Sequence, residues 1–454
     1  MARYPQMTDF PAHLARYHVM LSGSDPLLAR NYTFQWVWSG NLGVDALMLL
    51  FGPWLGVEAA ARVIAAGIPL LTAIGVFRLE WVLRGRIGAG SLLALPGVWS
   101  PALLLGFTNY TLSFALALLV CSLWIDRSRA GRAGWTFVPL GFVVFLAHQS
   151  GWGILGICVF AYEFSVRRNL RSAVLATWPL WGPFALIALQ GGSTSHLGDY
   201  GAHPVFSKLD NWLRTLAGYY GGQDVLTTLL MGAGVIFAGV TGRLDPRVGW
   251  SASMLAVLTF VLPRHFGGGD FADYRLTTPA LMLACLAIDL PLPGAGLLAV
   301  SLPFWIRIVT ISTCWVQTSA QLGVALKALD LVPPGARVYG AVHRPSNGWQ
   351  LPTWSHIVCY ATVRRSAVTN SDFAIPGVHM LSLRDPRTPH DPAYLLPEAH
   401  GERPDLAAFA ARYPSDYLWY VGEEPPARYP PGSSVVYRTA TTLMIKLAAP
   451  PAGQ

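Results

Sequence analysis

Charge is what this sequence has least of. Only 12% of its 454 residues are Asp, Glu, Lys or Arg, against 53% hydrophobic. A soluble domain carries about twice that charged fraction, so the chain reads as an integral membrane protein. The net charge of +8 does not point to nucleic acid, because the arginines sit in short loops between apolar runs, which is a signal of membrane topology. Cysteine is scarce too. Cys121, Cys158, Cys285, Cys314 and Cys359 form no metal-type cluster and read as small buried hydrophobes, with no disulfide framework implied. No hydrophobic region of a cleavable signal is visible at Met1, and no apolar helix precedes Asp9. Walker A, HExxH and GxSxG patterns are all missing, which disfavours soluble nucleotide-dependent chemistry. Internal repeats are not evident.

What is present is a series of apolar runs long enough, or nearly so, to span a bilayer. They fall at about 57–83, 90–106, 109–125, 134–148, 151–166, 172–189, 224–242, 248–263, 276–290 and 294–315. The fold class expected is therefore mainly α, a polytopic membrane bundle of about ten helices with a small C-terminal α/β soluble domain. Arg84 and Arg86, Arg127 to Arg132, Arg167 to Arg171, and Arg243 and Arg247 occupy every other turn, which places those turns in the cytoplasm. The alternate loops near Thr108–Asn109 and His148–Ser150, with 190–222 and 264–275, then face outward. Glu80 and Glu163, beside arginines at the cytoplasmic ends, are expected to snorkel. The localisation expected is a bacterial inner membrane, multi-pass, with the C-terminal domain periplasmic.

Four segments follow: an outer-face stretch with juxtamembrane helices (1–56), the helical bundle (57–316), a periplasmic α/β domain (317–449) and a disordered tail (450–454). Within 1–56, Asn41–Leu55 is too short to cross alone and reads as a helix lying on the outer surface. The soluble domain is expected to hold a helix at 318–331 and another at 404–412. Its strands are expected at Arg337–Val342, His356–Thr362, Asp416–Val421, Val435–Thr439 and Thr442–Leu447.

The polar residues that could carry chemistry gather on the outer side. A helix starting near Pro11 brings His13 and Arg16 to one face, with Asp9 at its mouth, where a carboxylate either caps free N–H groups or does chemistry. Asp25 before Pro26 shows the same cap-like pattern. Asn41 and Asp45 lie one turn apart. The loop Pro263 to Arg275, with Arg264, His265, three consecutive glycines, Asp270, Asp273 and Arg275, suits anion or sugar binding. Asp270 and Asp273 are either a solvated loop or, with Asp9, ligands for a divalent cation. Arg307, inside the last apolar run, is either a functional residue or an arginine snorkelling to headgroups. His148 reads as structural. His343, His356, His379, His390 and His400 are scattered and suggest no role.

An acidic residue in the first outer loop, a multi-span bundle and an outer C-terminal domain together resemble the GT-C superfamily of membrane glycosyltransferases, most of all its bacterial polyprenyl-phosphate-sugar-dependent members. The stretches Asp9–Arg16, Trp38–Asp45 and Gly106–Tyr110 are similar to patterns in a little-characterised bacterial branch. The resemblance implies that Asp9 is the catalytic base, assisted by His13. It also implies that Arg264, Arg275 and Arg307 are candidates to hold a lipid phosphate, and Arg16, Asn41, Asp45, His265, Asp270 and Asp273 complete the expected substrate-binding set. The partners implied are membrane lipid, a polyprenyl-phosphate sugar donor and a glycan, lipid or protein acceptor. The rival reading is a non-catalytic membrane protein, either a transporter or an inactive relative whose outer domain binds a partner. A transporter calls for polar residues deep in several spans and internal symmetry; here the spans are mostly apolar.

Overall fold

A computed structural model of the chain describes residues 2–189, 198–266, 269–343, 349–375, 379–396 and 403–448. The expected tail (450–454), residues 190–197 of the outer loop 190–222, and Gly267 and Gly268 of the glycine run lie outside the described residues. The chain divides into two compact units. One comprises Met1–Val37, Leu47–Val63 and Ser312–Gln454; the other comprises Trp38–Ala46 and Ile64–Ile311.

Among the described residues four helices, not the expected ten, are long and apolar enough to cross a membrane: Val57–Arg84, Thr108–Arg129, Gly221–Val240 and Gly294–Leu331. Proline accounts for two of the runs that fall short. Pro96 and Pro101 break the run at 90–106 into the pieces Ala89–Ala94, Leu95–Val98 and Pro101–Leu105. Pro179 and Pro183 likewise divide 172–189. A ring at the first turn of a helix costs nothing, whereas in its interior it removes a hydrogen bond, so the chain restarts at these prolines, while Pro69 and Pro303 are carried inside the longer helices. The runs at 134–148, 248–263 and 276–290 become Phe137–Ala147, Pro246–Val261 and Thr277–Leu286.

In the helical unit the arginine-rich turns meet one another. Arg84 contacts Glu80 at 3.0 Å and Asp245 at 3.4 Å, Arg86 meets Asp289 at 2.6 Å, and Arg247 meets Asp245 at 2.7 Å. Arg129 donates to the carbonyls of Val82 and Leu83, and Ser165 to that of Pro246. The arginine-rich turns thus share one end. Glu80 and Glu163 do not snorkel. Glu80 accepts from the backbone N–H groups of Gly88 and Ser91, and Glu163 from Trp124 Nε1, Ser128 Oγ and Arg167; both are 1% exposed. A buried carboxylate is retained when hydrogen bonds replace its water. At the other end, the Tyr110 hydroxyl donates to the Arg275 carbonyl and the Gln149 N–H to the Gly40 carbonyl.

The other unit holds strands β1 (Tyr32–Phe34), β2 (Val338–Val342), β3 (Leu381–Leu383), β4 (Tyr417–Val421), β5 (Ser434–Arg438) and β6 (Thr442–Lys446). Four form a mixed sheet in the order β2-β4-β6-β5, with β2 parallel to β4 and the other pairs antiparallel. Every residue of β2 and β4 is buried, as strands covered on both faces require. The expected strand His356–Thr362 is instead a helix, Cys359–Arg365. Its approach, Ile357 to Ala361, is apolar and buried throughout, and a run buried on all sides carries no period to tell strand from helix. The stretch 20–56 contributes the helix Gly43–Leu55 and, unforeseen, β1, which pairs antiparallel with β3 with Tyr32 opposite Leu383. The helix expected at 318–331 is the continuation of the one starting at Gly294, its last residues, Leu326–Leu331, wound as a 3-10 turn.

Candidate functional site

Asp9 stands before the helix Phe10–Leu21, yet its side chain accepts no capping hydrogen bond. The backbone explains this. At φ −87° and ψ −3° Asp9 is already helical, whereas a capping residue needs extended dihedrals to fold its oxygen back onto the free N–H groups. Asp25, at ψ 116°, has them and accepts from Leu27 at 2.9 Å. The Asp9 carboxylate instead lies 3.8 Å from Nε2 of His356.

His356 is buried, and its Nδ1 lies 2.7 Å from the Ser371 hydroxyl and 3.0 Å from the Ser371 carbonyl. Its Nε2 also faces the Tyr394 hydroxyl at 3.3 Å and the Asp391 carboxylate at 4.0 Å. Burial pushes the imidazole down to about 4 and the Asp391 carboxyl up to about 6, since each loses water around its charged form. Phe373 is the hub of the cluster. Its ring meets His13 at 5.2 Å and His356 at 5.1 Å edge to face, and stacks on His379 at 5.2 Å. Burial, with the Arg16 charge nearby, lowers His379 to about 4. Arg16 is itself buried, its guanidinium 5.1 Å from the Tyr17 ring.

Beneath this lies a run of buried polar residues, Thr369 to Asp372. Asn370 bridges to both backbone groups of Gly340 on β2, and the Tyr32 hydroxyl of β1 donates to Asp372 at 2.5 Å. Desolvation raises the Asp372 carboxyl. Short polar side chains bonded in this way fix Ser371 and Phe373, and through them His356. Sequence reasoning passed over His356, Phe373, His379, Asp391 and Tyr394. The one available signal was Thr369–Phe373, a polar run ending in an aromatic.

The remaining predicted residues belong to the helical unit. Asn41 and Asp45 are joined by Asn109, whose Nδ2 donates to the Asn41 side-chain oxygen at 2.9 Å and to Asp45 at 3.2 Å. Arg264, His265 and Asp270 form a surface group, with Asp270 at 3.1 Å from His265 and 3.6 Å from Arg264. Asp273 accepts from Lys208 at 2.6 Å and Asn211 at 3.1 Å. Arg307 makes a buried ion pair with Asp224 and donates to the carbonyls of Trp99 and Leu216. Among the described residues no group of three or more His, Cys, Asp or Glu side chains is placed to hold a metal ion.

Arg264 and Arg275 are stacked on aromatic faces. Arg264 lies 4.4 Å over Phe271 and Arg275 4.0 Å over Phe107, with the two rings 6.4 Å apart. Phe271 adopts φ 55°, a left-handed conformation that strains a bulky L-residue. Arg275 also lies 3.5 Å from His148 Nε2 and lines a small cavity of about 10 Å³ with the hydroxyls of Thr72, Ser100, Tyr110, Thr111 and Thr278.

No family model matches this chain, and no curated protein sequence does. Two solved structures are similar to it over nearly their whole length. ArnT from Cupriavidus metallidurans bound to undecaprenyl phosphate is 12% identical, covering 100% of this chain and 96% of its own, at a TM-score of 0.49. The same protein in the apo state is 13% identical, covering 97% and 94%, at a TM-score of 0.50. At that identity the likeness is one of fold.

Proposed function

We propose that the chain is an integral membrane glycosyltransferase that moves a sugar from a polyprenyl-phosphate donor to an acceptor on the outer face, with Asp9 as general base. The observation that carries this reading is the Asp9 carboxylate. It is turned from its helix mouth toward a cluster of histidines, aromatics and a second carboxylate. The fold supports it at the level of class, ArnT being a polyprenyl-phosphate glycosyltransferase of the GT-C group. In the reaction Asp9 takes the proton of the acceptor hydroxyl as that oxygen attacks the anomeric carbon. Arg275, its guanidinium held over the Phe107 ring, is the cation for the donor phosphate and offsets the charge developing on it. Arg264, on the adjoining ring, adds a second cation. Arg307, satisfied by Asp224, positions its helix rather than the lipid. A donor that partitions from the bilayer accounts for the missing nucleotide loop.

The test compares membranes carrying the wild type, Asp9→Asn and Arg275→Ala, with lipid- and protein-linked glycans profiled by mass spectrometry. Asp9→Asn is expected to lower transfer by about 10²–10⁴-fold, the usual worth of a general base. Arg275→Ala is expected to weaken undecaprenyl-phosphate binding by about tenfold or more, as loss of a charge-assisted contact does. Transfer that survives Asp9→Asn removes the base assignment. A protein that carries substrate across proteoliposomes without any lipid-linked sugar is a transporter.

A further inference from the structure

We propose that Asp391 is the proton outlet of the Asp9 site, receiving through His356 Nε2 the proton that Asp9 takes from the acceptor; the role rests on Asp9 being the base. The geometry begins at the other side of the ring. A backbone carbonyl can only accept, so the contact of His356 Nδ1 with the Ser371 carbonyl at 3.0 Å places the ring hydrogen on Nδ1. Nε2 is then left with its lone pair. Three acids face that lone pair: the Tyr394 hydroxyl at 3.3 Å, Asp9 at 3.8 Å and Asp391 at 4.0 Å. Burial raises the proton affinity of Asp391, and a hydrogen bond from the Tyr394 hydroxyl partly offsets this.

Accessibility sets the imidazole apart from the two carboxylates. The His356 side chain is 4% exposed, whereas those of Asp9 and Asp391 are 18% and 22% exposed. Both carboxylates reach the surface, and the imidazole between them does not. Burial leaves Asp391 with a higher proton affinity than the imidazole, so a proton on Nε2 passes on to it. The other ionisable neighbours are His13 and His379 on the Phe373 ring, Arg16 and His390, whose charges act on His379.

The step balances as follows. The acceptor O–H bond breaks and its proton joins an Asp9 oxygen. That O–H breaks as Nε2–H forms, and Nε2–H breaks as an Asp391 O–H forms. Asp391 releases the proton to water, leaving both carboxylates ionised and the imidazole neutral. Each gap is longer than a hydrogen bond, so a hop uses one bridging water or a closure of about 1 Å.

The first test needs no substrate. Full-length protein with ¹⁵N-labelled histidine, in lipid nanodiscs, is titrated from pH 4.5 to 8, with His356 assigned by loss of its signal in His356→Gln. The wild type is expected to keep the Nδ1–H tautomer near neutrality, and its Nε2 shift to step near pH 6. Asp391→Asn should retain the tautomer, which reports an intact fold, and lose the step; Asp9→Asn should keep it. A step that persists in Asp391→Asn, or no step in the wild type, overturns the proposal. In glycan transfer, Asp391→Asn is expected to lower turnover about tenfold and to erase the limb of the pH–rate profile near pH 6, with donor binding unchanged. Should Asp9→Asn leave transfer intact while the Asp391 step is present, the base reading fails and the coupling of Asp391 to His356 stands.

Discussion

Two aspartates that look alike in sequence part company at the residue scale. Asp9 and Asp25 both precede proline-started helices, and only Asp25 caps, because its backbone is extended. Burial then tunes the groups around Asp9, and the sign of each effect is testable. His356 and His379 titrate at 6.5 when solvated and at about 4 in the fold. The unfolded chain therefore binds more protons between those values, and stability falls as pH drops from 6.5 to 4. Asp391 acts oppositely. Its affinity is raised from 3.8 to about 6, so stability falls as pH rises through that window, and above it a buried charge is carried at a cost. Asp391→Asn is expected to raise the thermal midpoint in detergent at pH 7.5, by about 1–3 kcal/mol of stability, and to change little at pH 3.5. His379→Gln should flatten the loss between pH 6.5 and 4. Midpoints measured across pH for the three proteins check both statements.

At the element scale, the most exacting contact is between the helices Thr108–Arg129 and Gln149–Arg167. A Cβ on Gly151 would fall on the Ser113 hydroxyl and 2.8 Å from the Ser113 carbonyl carbon. That hydroxyl already donates to the carbonyls of Val144 and His148. Backbone cannot yield as a side-chain tip can, so Gly151→Ala is expected to cost about 1–3 kcal/mol, the usual range for overpacking. A lower thermal midpoint, with Gly153→Ala near wild type because nothing lies within 4 Å of its Cβ position, is the expected pattern. The strands show what local pattern can convey. β2, β4, β5 and β6 fall within a residue or two of their expected places, while the three-residue β1 and β3 are too short to show alternation. The expected strand at His356–Thr362 failed because uniform burial hides the period.

Across the whole molecule, alternation of arginine foretold which turns of the helical unit share an end. The contacts of Arg84, Arg129 and Arg247 accord with it. We expect the arginine turns to be cytoplasmic and the C-terminal region to lie outside. All five native cysteines are buried, so single added cysteines can be read by labelling. In sealed right-side-out vesicles a membrane-impermeant maleimide should label Arg387→Cys and leave Arg127→Cys untouched until the membrane is opened. Labelling of both, or the reverse order, would refute that topology.

Composition and the spacing of charge were enough to establish a membrane chain, its alternating turns, most strands of its C-terminal sheet and Asp9 as a residue of interest. These depend on properties that act locally or add along the chain, namely hydropathy, loop charge and period. Tertiary structure alone decided that, among the described residues, four helices rather than ten are long and apolar enough to span a membrane. It alone decided that residues 1–37 pack with residues 312–454, and that His356, Phe373 and Asp391 stand around Asp9. Those residues lie some 350 positions from Asp9 in the chain, and no local propensity encodes a pairing across that distance. It arises when burial of Thr369–Asp372 and pairing of β1 with β3 draw the two ends of the sequence into one core.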